Sequence, residues 1–257
     1  MGMDPATTII DGMMAGDVIE VTVPWVNINN ITVMNSGSGT EDAGIQITDT
    51  HNVSIADVDC TNCEIGIYVD PSENVTIKSS EGDGCQWFLA YDRATNCEAV
   101  DINVVNVQDS NAEGGAVKAT DSNGLDINNP NWNFGGSHTI TGVFLKNSNN
   151  VLVRNATGKN TNNGSAIKSD NGTGNFFVDS FFDVTYDVDF PNGTAVTFTN
   201  STGGGLNNVS ANVTNGTAIK LNNTQNVNVN NTNITGLNCT GLSIGTVSYT
   251  HLRAHET

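Results

Sequence analysis

Asp70 and Asp92 stand 22 residues apart, with Arg93 directly after the second and Tyr68 two positions before the first. Carboxylates brought within a few ångströms of each other share a proton, bind a divalent cation, or work as the acid and nucleophile of a retaining glycosidase. Further along, Lys118, Lys168 and Lys220 recur at wide intervals, with Phe144 between the first two. Spaced amines with aromatic rings among them suit an acidic polysaccharide, whose carboxylates repeat on a similar scale and whose rings stack on aromatic faces. Both sets exist only if some 22 residues bring the chain back over itself. Asp70 also precedes Pro71 and Ser72, a combination that starts a turn with no chemistry attached.

The chain does repeat on that scale. Residues 44–55 read GIQITDTHNVSI and residues 66–77 read GIYVDPSENVTI, with Gly, Ile, Asn, Val and Ile held under one common shift. A residue, usually small, opening two alternate apolar positions recurs from Val18-Ile19-Glu20-Val21 to Gly241-Leu242-Ser243-Ile244. A second motif, opened by Asn, follows several of these starts, at Asn30, Asn52, Asn74, Asn150, Asn175 and Asn226. Each motif is a short strand of period two, and helical spacing never persists long enough to compete. A unit this small cannot bury its apolar side alone, but stacked copies about 4.8 Å apart can. The expected fold is all-β, a single-stranded right-handed parallel β-helix of about ten coils over residues 6–246.

Stacking turns sequence spacing into spatial columns. One outward column runs Gln46, Tyr68, Ala90, Lys118, Phe144, Lys168, Thr197, Lys220 and Ser243. Its lysines, on every second coil, fall about 10 Å apart. Two positions on, Asp70 lies about 5 Å from Asp92, in a column that also holds Thr48, Thr120, Lys146, Asp170, Thr199 and Asn222. Cys63 and Cys85 are likewise 22 residues apart, a stacking compatible with a disulfide. Cys60-Thr-Asn-Cys63 has no second pair or nearby His to complete a zinc site. The segment DSFFDVTYDVDF (179–190) reads as an insertion packed by Phe181, Phe182 and Phe190.

The opening Asn of the second motif is expected to face inward as a ladder, bonding its own turn and the Asn of the next coil while tolerating the left-handed backbone of a sharp bend. On these motifs the sequence resembles the right-handed parallel β-helix repeat family with the pectin-lyase-like fold. That family includes pectate lyases, polygalacturonases, phage tailspikes and repeat-containing bacterial and archaeal surface proteins. The resemblance implies calcium held by acidic residues of neighbouring coils, here Asp70 and Asp92, and an Arg or Lys that takes the proton beside a uronate carboxylate, here Arg93. No cofactor is required outright. The polygalacturonase signatures (Asn-Thr-Asp, Asp-Asp, Gly-His-Gly and Arg-Ile-Lys) do not occur.

Net charge is −18, from nine Lys plus Arg against 27 Asp plus Glu, with a pI near 4.1. Nucleic acid and anionic membranes are poor partners for such a surface. No apolar run reaches the roughly 20 residues of a membrane span. The balance suits an extracellular or cell-surface setting where divalent ions and salt relieve self-repulsion. The start, residues 1–5, reads as an expression or fragment boundary. Residues 247–257 (VSYTHLRAHET) break the habits of the preceding chain and read as translated sequencing adapter, which leaves an open solenoid end where association is expected. With the family's catalytic signatures missing, the leading expectation is a non-catalytic surface module binding carbohydrate or a cell-envelope protein through Tyr68, Lys118, Phe144, Lys168 and Lys220. The alternative is a polysaccharide lyase or glycoside hydrolase acting on an acidic polysaccharide through Asp70, Asp92 and Arg93.

Overall fold

A computed structural model describes residues 8–107, 114–134, 140–160, 164–185, 193–245 and 250–253. Among them every regular element is a strand, and every pairing is parallel to a strand one coil away. The architecture is a right-handed parallel β-helix. One face is a ten-stranded sheet running from Ile19–Val21 to Thr240–Ile244, and the remaining strands form an 18-stranded sheet that bends around the other sides.

Alternation explains the strands. In Ile65–Glu73 the side chains of Ile67 and Val69 point inward, where they stack on Ile45 and Ile47 of one neighbour, and on Leu89 and Tyr91 of the other. All six are essentially sealed from solvent, each contributing roughly 1.5–3 kcal/mol of apolar burial. Volume is matched between coils. The Trp132 indole fills the space beside Gly142 and Gly158, where an added Cβ would come within 2.3 and 2.2 Å of the ring. In 179–190, Phe182 is in the core and Phe181 is 49% exposed, so they alternate on the strand Phe181–Thr185 and do not pack a loop together. Phe190 lies outside the described residues.

Bends are made by Asn and Asp in the left-handed region. Asn52, Asn74, Asn96, Asn150 and Asn226 share one corner at φ 52–56°, and Gly124, Gly174 and Gly203 take the same place in intervening coils. Two members of the expected ladder fall elsewhere. Asn30 aligns with Asp57 at the following bend, because Asn27 pairs with Ser54 and Ile31 with Val58. Asn175 sits one residue past the corner, level with Val151, and is the one ladder candidate fully inside, at 2% exposure. Its amide donates to the Ser148 carbonyl and Ser169 Oγ and accepts from Val151 N–H. The other ladder residues are half-buried or exposed, contrary to the inward placement expected, since at these bends the left-handed backbone turns the side chain outward.

Polar ladders of side chains do exist, at the edges of the strands. Asn147 donates to Asp121 at 2.9 Å and Asn171 to Asn147; Asn129 donates to Asp101 at 2.7 Å, Asn208 to Asp179, and Asn231 to Asn208. Each of these three runs starts on a carboxylate, which can only accept, and each amide donates toward the preceding coil; shorter pairs, such as Asn223 on Asn200, start on an amide. The next residue inward is often Ser. Ser122 Oγ donates to Thr120 carbonyl and accepts from Ala94 N–H, and Ser148 repeats this one coil on, so these buried hydroxyls are satisfied by backbone alone.

None of the five cysteines is in a disulfide. Cys63 and Cys85 stack as the repeat predicts, but they meet in a thiol hydrogen bond and the expected bridge is not formed. Accepting that bond holds the Cys63 thiol down to about 7, while donating it, and then burial, push Cys85 up. Thr250–Arg253, set apart above as foreign to the repeat, pairs in parallel with Val227–Asn230.

Candidate functional site

Four adjacent strands of the ten-stranded sheet build one depression: Ile65–Glu73, Trp87–Asp92, Gly114–Thr120 and Ile140–Lys146. Their register sets Tyr68 beside Ala90, Ala90 beside Lys118 and Lys118 beside Phe144. The predicted outward column is thus continuous, extending through Lys168, Thr197 and Lys220 to Ser243. A small residue between larger ones leaves a notch, and Ala90 makes it here. The resulting pocket has a volume of about 330 Å³, with Tyr68, Asp92, Lys118 and Phe144 in its lining.

Two of its residues were not singled out from sequence. Lys146 enters from the neighbouring column, where it pairs with Thr120, and Glu41 enters from the segment preceding Ala43–His51. Lys146 was detectable, since its column also carries Asp70 and Asp92. Glu41 had no periodic signal.

The aromatic residues are not the open platforms that their outward register suggests. Tyr68 is 5% and Phe144 7% exposed. Tyr68 packs with Ala43, Ile65 and Ala90 in a small apolar cluster outside the main core. Lys168 lays its ammonium over the Phe144 ring, 4.5 Å from the centroid, and Lys118 is 5.9 Å from the Trp87 ring. Phe144 is therefore covered on one face, and Lys168 is anchored beside it. Lys220 stands two coils past Lys168 and does not line the pocket.

The two aspartates have separate environments. Asp70 pairs with the Arg93 guanidinium and receives the Tyr68 hydroxyl at 3.5 Å. Arg93 also reaches Asp92, with Nε 3.8 Å from a carboxylate oxygen. Partial burial, then the charge of Asp70, push the Asp92 carboxyl above its ordinary range. Burial and the negative charges of Asp70 and Asp92 push the Tyr68 phenol upward, so it keeps its proton at neutral pH.

This arrangement does not suit the calcium that the resemblance implies. The cation between Asp70 and Asp92 is the Arg93 guanidinium, and among the described residues no group of three or more His, Cys, Asp or Glu is placed to hold a metal ion. A divalent ion would have to displace Arg93 and find further oxygen ligands. Arg93, paired with two carboxylates and exposed, is also poorly set to act as a base.

No family model matches the chain, and no curated protein does. Solved structures do. DFA-IIIase from Arthrobacter chlorophenolicus A6 is similar at 12% identity over 86% of this chain and 56% of that one, with a TM-score of 0.58. Alginate lyase from Paenibacillus sp. str. FPU-7 is similar at 10% identity over 94% of this chain and 100% of that one, with a TM-score of 0.53. The chain spans little more than half the length of the DFA-IIIase it matches. At such identities the likeness establishes the parallel β-helix and nothing about the site.

Proposed function

We propose that this chain is a carbohydrate-active β-helix protein that holds an acidic sugar unit in the pocket beside Lys118 and Lys146 and cleaves the polymer there by β-elimination. The observation that carries this reading is the convergence of two ammoniums, a phenol kept protonated and a carboxyl of raised pKa on one notch. The wider charge distribution supports it. In a chain of net charge −18, five of the nine basic residues (Arg93, Lys118, Lys146, Lys168 and Lys220) lie in or directly after strands of this one sheet. The similarity to an alginate lyase supports the same class.

Roles follow from charge state. Lys118 and Lys146 pair with the uronate carboxylate and stabilise the negative charge that spreads onto it when the adjacent carbon loses its proton. Asp92 takes that proton, and a carboxyl raised above its usual range is the stronger base for doing so. The electron pair forms a carbon–carbon double bond as the bond to the glycosidic oxygen breaks. Tyr68 donates its proton to the departing oxygen, and water returns a proton from Asp92 to Tyr68. Arg93 holds Asp70 in place and keeps its charge from repelling the substrate.

Hydrolysis is the second reading, because Glu41 and Asp92 both line the pocket and a pair of carboxylates is what it needs. Incubation with pectin, alginate and related uronate polymers separates the readings. Elimination gives ultraviolet-absorbing unsaturated ends, lost in Asp92→Asn. Hydrolysis gives reducing ends without that absorbance. Retention on the polymers with neither product returns the non-catalytic surface module, and no retention on any uronate polymer overturns the acidic-glycan reading. Such substrates place the protein outside the cell or on its surface.

A further inference from the structure

A second depression, of about 320 Å³, lies along the same strands just past the first. The strand that carries Tyr68 and Asp70 continues to Glu73, and the strand beside it continues to Thr50 and His51; all three of these line it, with Asp49, Arg93 and Thr95. Arg93 is the divider. Its guanidinium pairs with Asp70 and Asp92 on one side while the residue borders this depression on the other.

Trp25 flanks the depression. Its ring meets His51 edge to face, with centroids 6.4 Å apart at 74°. Trp25 is 75% exposed, whereas Trp87 and Trp132 are 5% and 1% exposed. Its backbone position is also informative. Trp25 N–H bonds the His51 carbonyl as Asn52 N–H bonds that of Glu73 and Asn74 N–H that of Thr95, so Trp25 occupies the left-handed corner that later coils give to Asn or Gly. At φ 66° a bulky residue is disfavoured where Asn fits, and an exposed indole adds nothing to the core. A residue that opposes both local preference and burial is kept for contact with something else.

The polar groups indicate what that is. Asp49 and Glu73 contribute two carboxylates, while the one guanidinium is already paired with Asp70. That balance repels an anion and accepts hydrogen bonds from hydroxyls. An exposed indole beside hydroxyl-accepting carboxylates matches the apolar face and hydroxyl rim of a neutral sugar ring, and the volume falls within the range of small-molecule sites.

We propose that the depression between His51 and Arg93, flanked by Trp25, is a subsite for a neutral sugar, and that the polymer is one in which an acidic unit is joined to a neutral one. The second half of this statement rests on the acidic-glycan reading of the first pocket; the first half does not. The glycan then crosses the coils along the strands, over Arg93, with its charged unit beside Lys118 and Lys146 and its uncharged neighbour against Trp25.

Tryptophan emission reports on the subsite directly, because Trp25 is the one strongly exposed indole of the three. Titration with neutral cello-, manno- and xylohexaose is expected to change the emission saturably for at least one of them, with the change lost in Trp25→Ala. Calorimetry with the same hexaose should show binding retained in Trp25→Phe and weakened at least tenfold in Trp25→Ala and His51→Ala. A polymer alternating uronate with neutral sugar should bind at least tenfold more tightly than a homopolyuronate, an advantage that Trp25→Ala removes without changing retention on the homopolyuronate. No saturable response to any neutral hexaose, or equal affinity in wild type and Trp25→Ala, overturns the subsite. A response to neutral hexaoses with no binding of any uronate polymer leaves the subsite standing and removes the acidic-glycan reading instead.

Discussion

The two sheets of the coil use polar residues in opposite ways. Around the 18-stranded sheet, outward side chains satisfy one another from coil to coil: Asn131 donates to Asn103, Asn103 to Glu81, Asn212 to Asp183, and Arg154 forks onto Asp126. On the ten-stranded sheet the outward column changes chemistry at nearly every step, from Tyr68 to Ala90 to Lys118 to Phe144. Like upon like completes its own hydrogen bonds and leaves nothing for a ligand. Unlike neighbours leave a notch, unpaired ammoniums and two groups with shifted proton affinity. In a repeat protein the place to look for function is where the repetition fails.

The sharpest way to break this contrast is to exchange effects between the two faces. Asp92→Asn and Tyr68→Phe are each expected to cut turnover by about 10²–10⁴-fold, the usual contribution of a general base or acid, while the thermal midpoint stays at or above that of the wild type. Lys118→Ala and Lys146→Ala should each weaken uronate binding by about ten- to a hundredfold, as loss of a charge-assisted bond does, and the loss should shrink as salt rises. Asn208→Ala, at the end of the 18-stranded sheet's strand Gly205–Asn207, should leave turnover alone and lower stability by about 1–3 kcal/mol, combining its lost side-chain bonds to Asp179 and Asn231 with an alanine forced into the left-handed region. Asn208→Gly should recover the backbone part of that loss. Activity falling in Asn208→Ala as far as in Asp92→Asn, measured on folded protein, would erase the distinction.

The smallest effect is in the pH dependence. Folded Asp92 binds its proton more tightly than an unfolded aspartate, whose ordinary value is 3.8. Folding therefore takes up a proton in the window just above 3.8, and stability contributed by this group is lost as pH rises through the raised value. Asp92→Asn should remove that loss and gain slightly in thermal midpoint at neutral pH, while turnover in the wild type rises over the same window as the base ionises. Paired melting curves and pH–rate profiles check both signs.

Register was fully legible in the sequence, because period-two strands stacked in parallel leave one alignment per small-apolar-x-apolar motif. The column from Gln46 to Ser243 follows from it, as does the stacking of Cys63 on Cys85. Corners were less legible. Asn30 and Asn175 carry the letter of the ladder without its place, and Gly174, which takes the left-handed corner beside Asn175, was the cue that the frame had moved by one. Which outward residues are covered could not be read from period two, since the shielding of Tyr68 and Phe144 depends on Ile65, Ala43 and Lys168, contacts between strands and around corners. Glu41 reaches the pocket from a connection, where no periodicity applies.

The ladders impose a word order on the molecule. Their amides hand protons backward along the axis, and an aspartate can stand only where a run begins, as Asp101, Asp121 and Asp179 do. A rung that carries one follows an asparagine only where that asparagine's run ends, as Asp179 follows Asn155, whose amide donates sideways to Asn128. Duplication of single rungs, the simplest way to lengthen such a spiral, is therefore free for all-asparagine rungs and punctuated by the acidic ones.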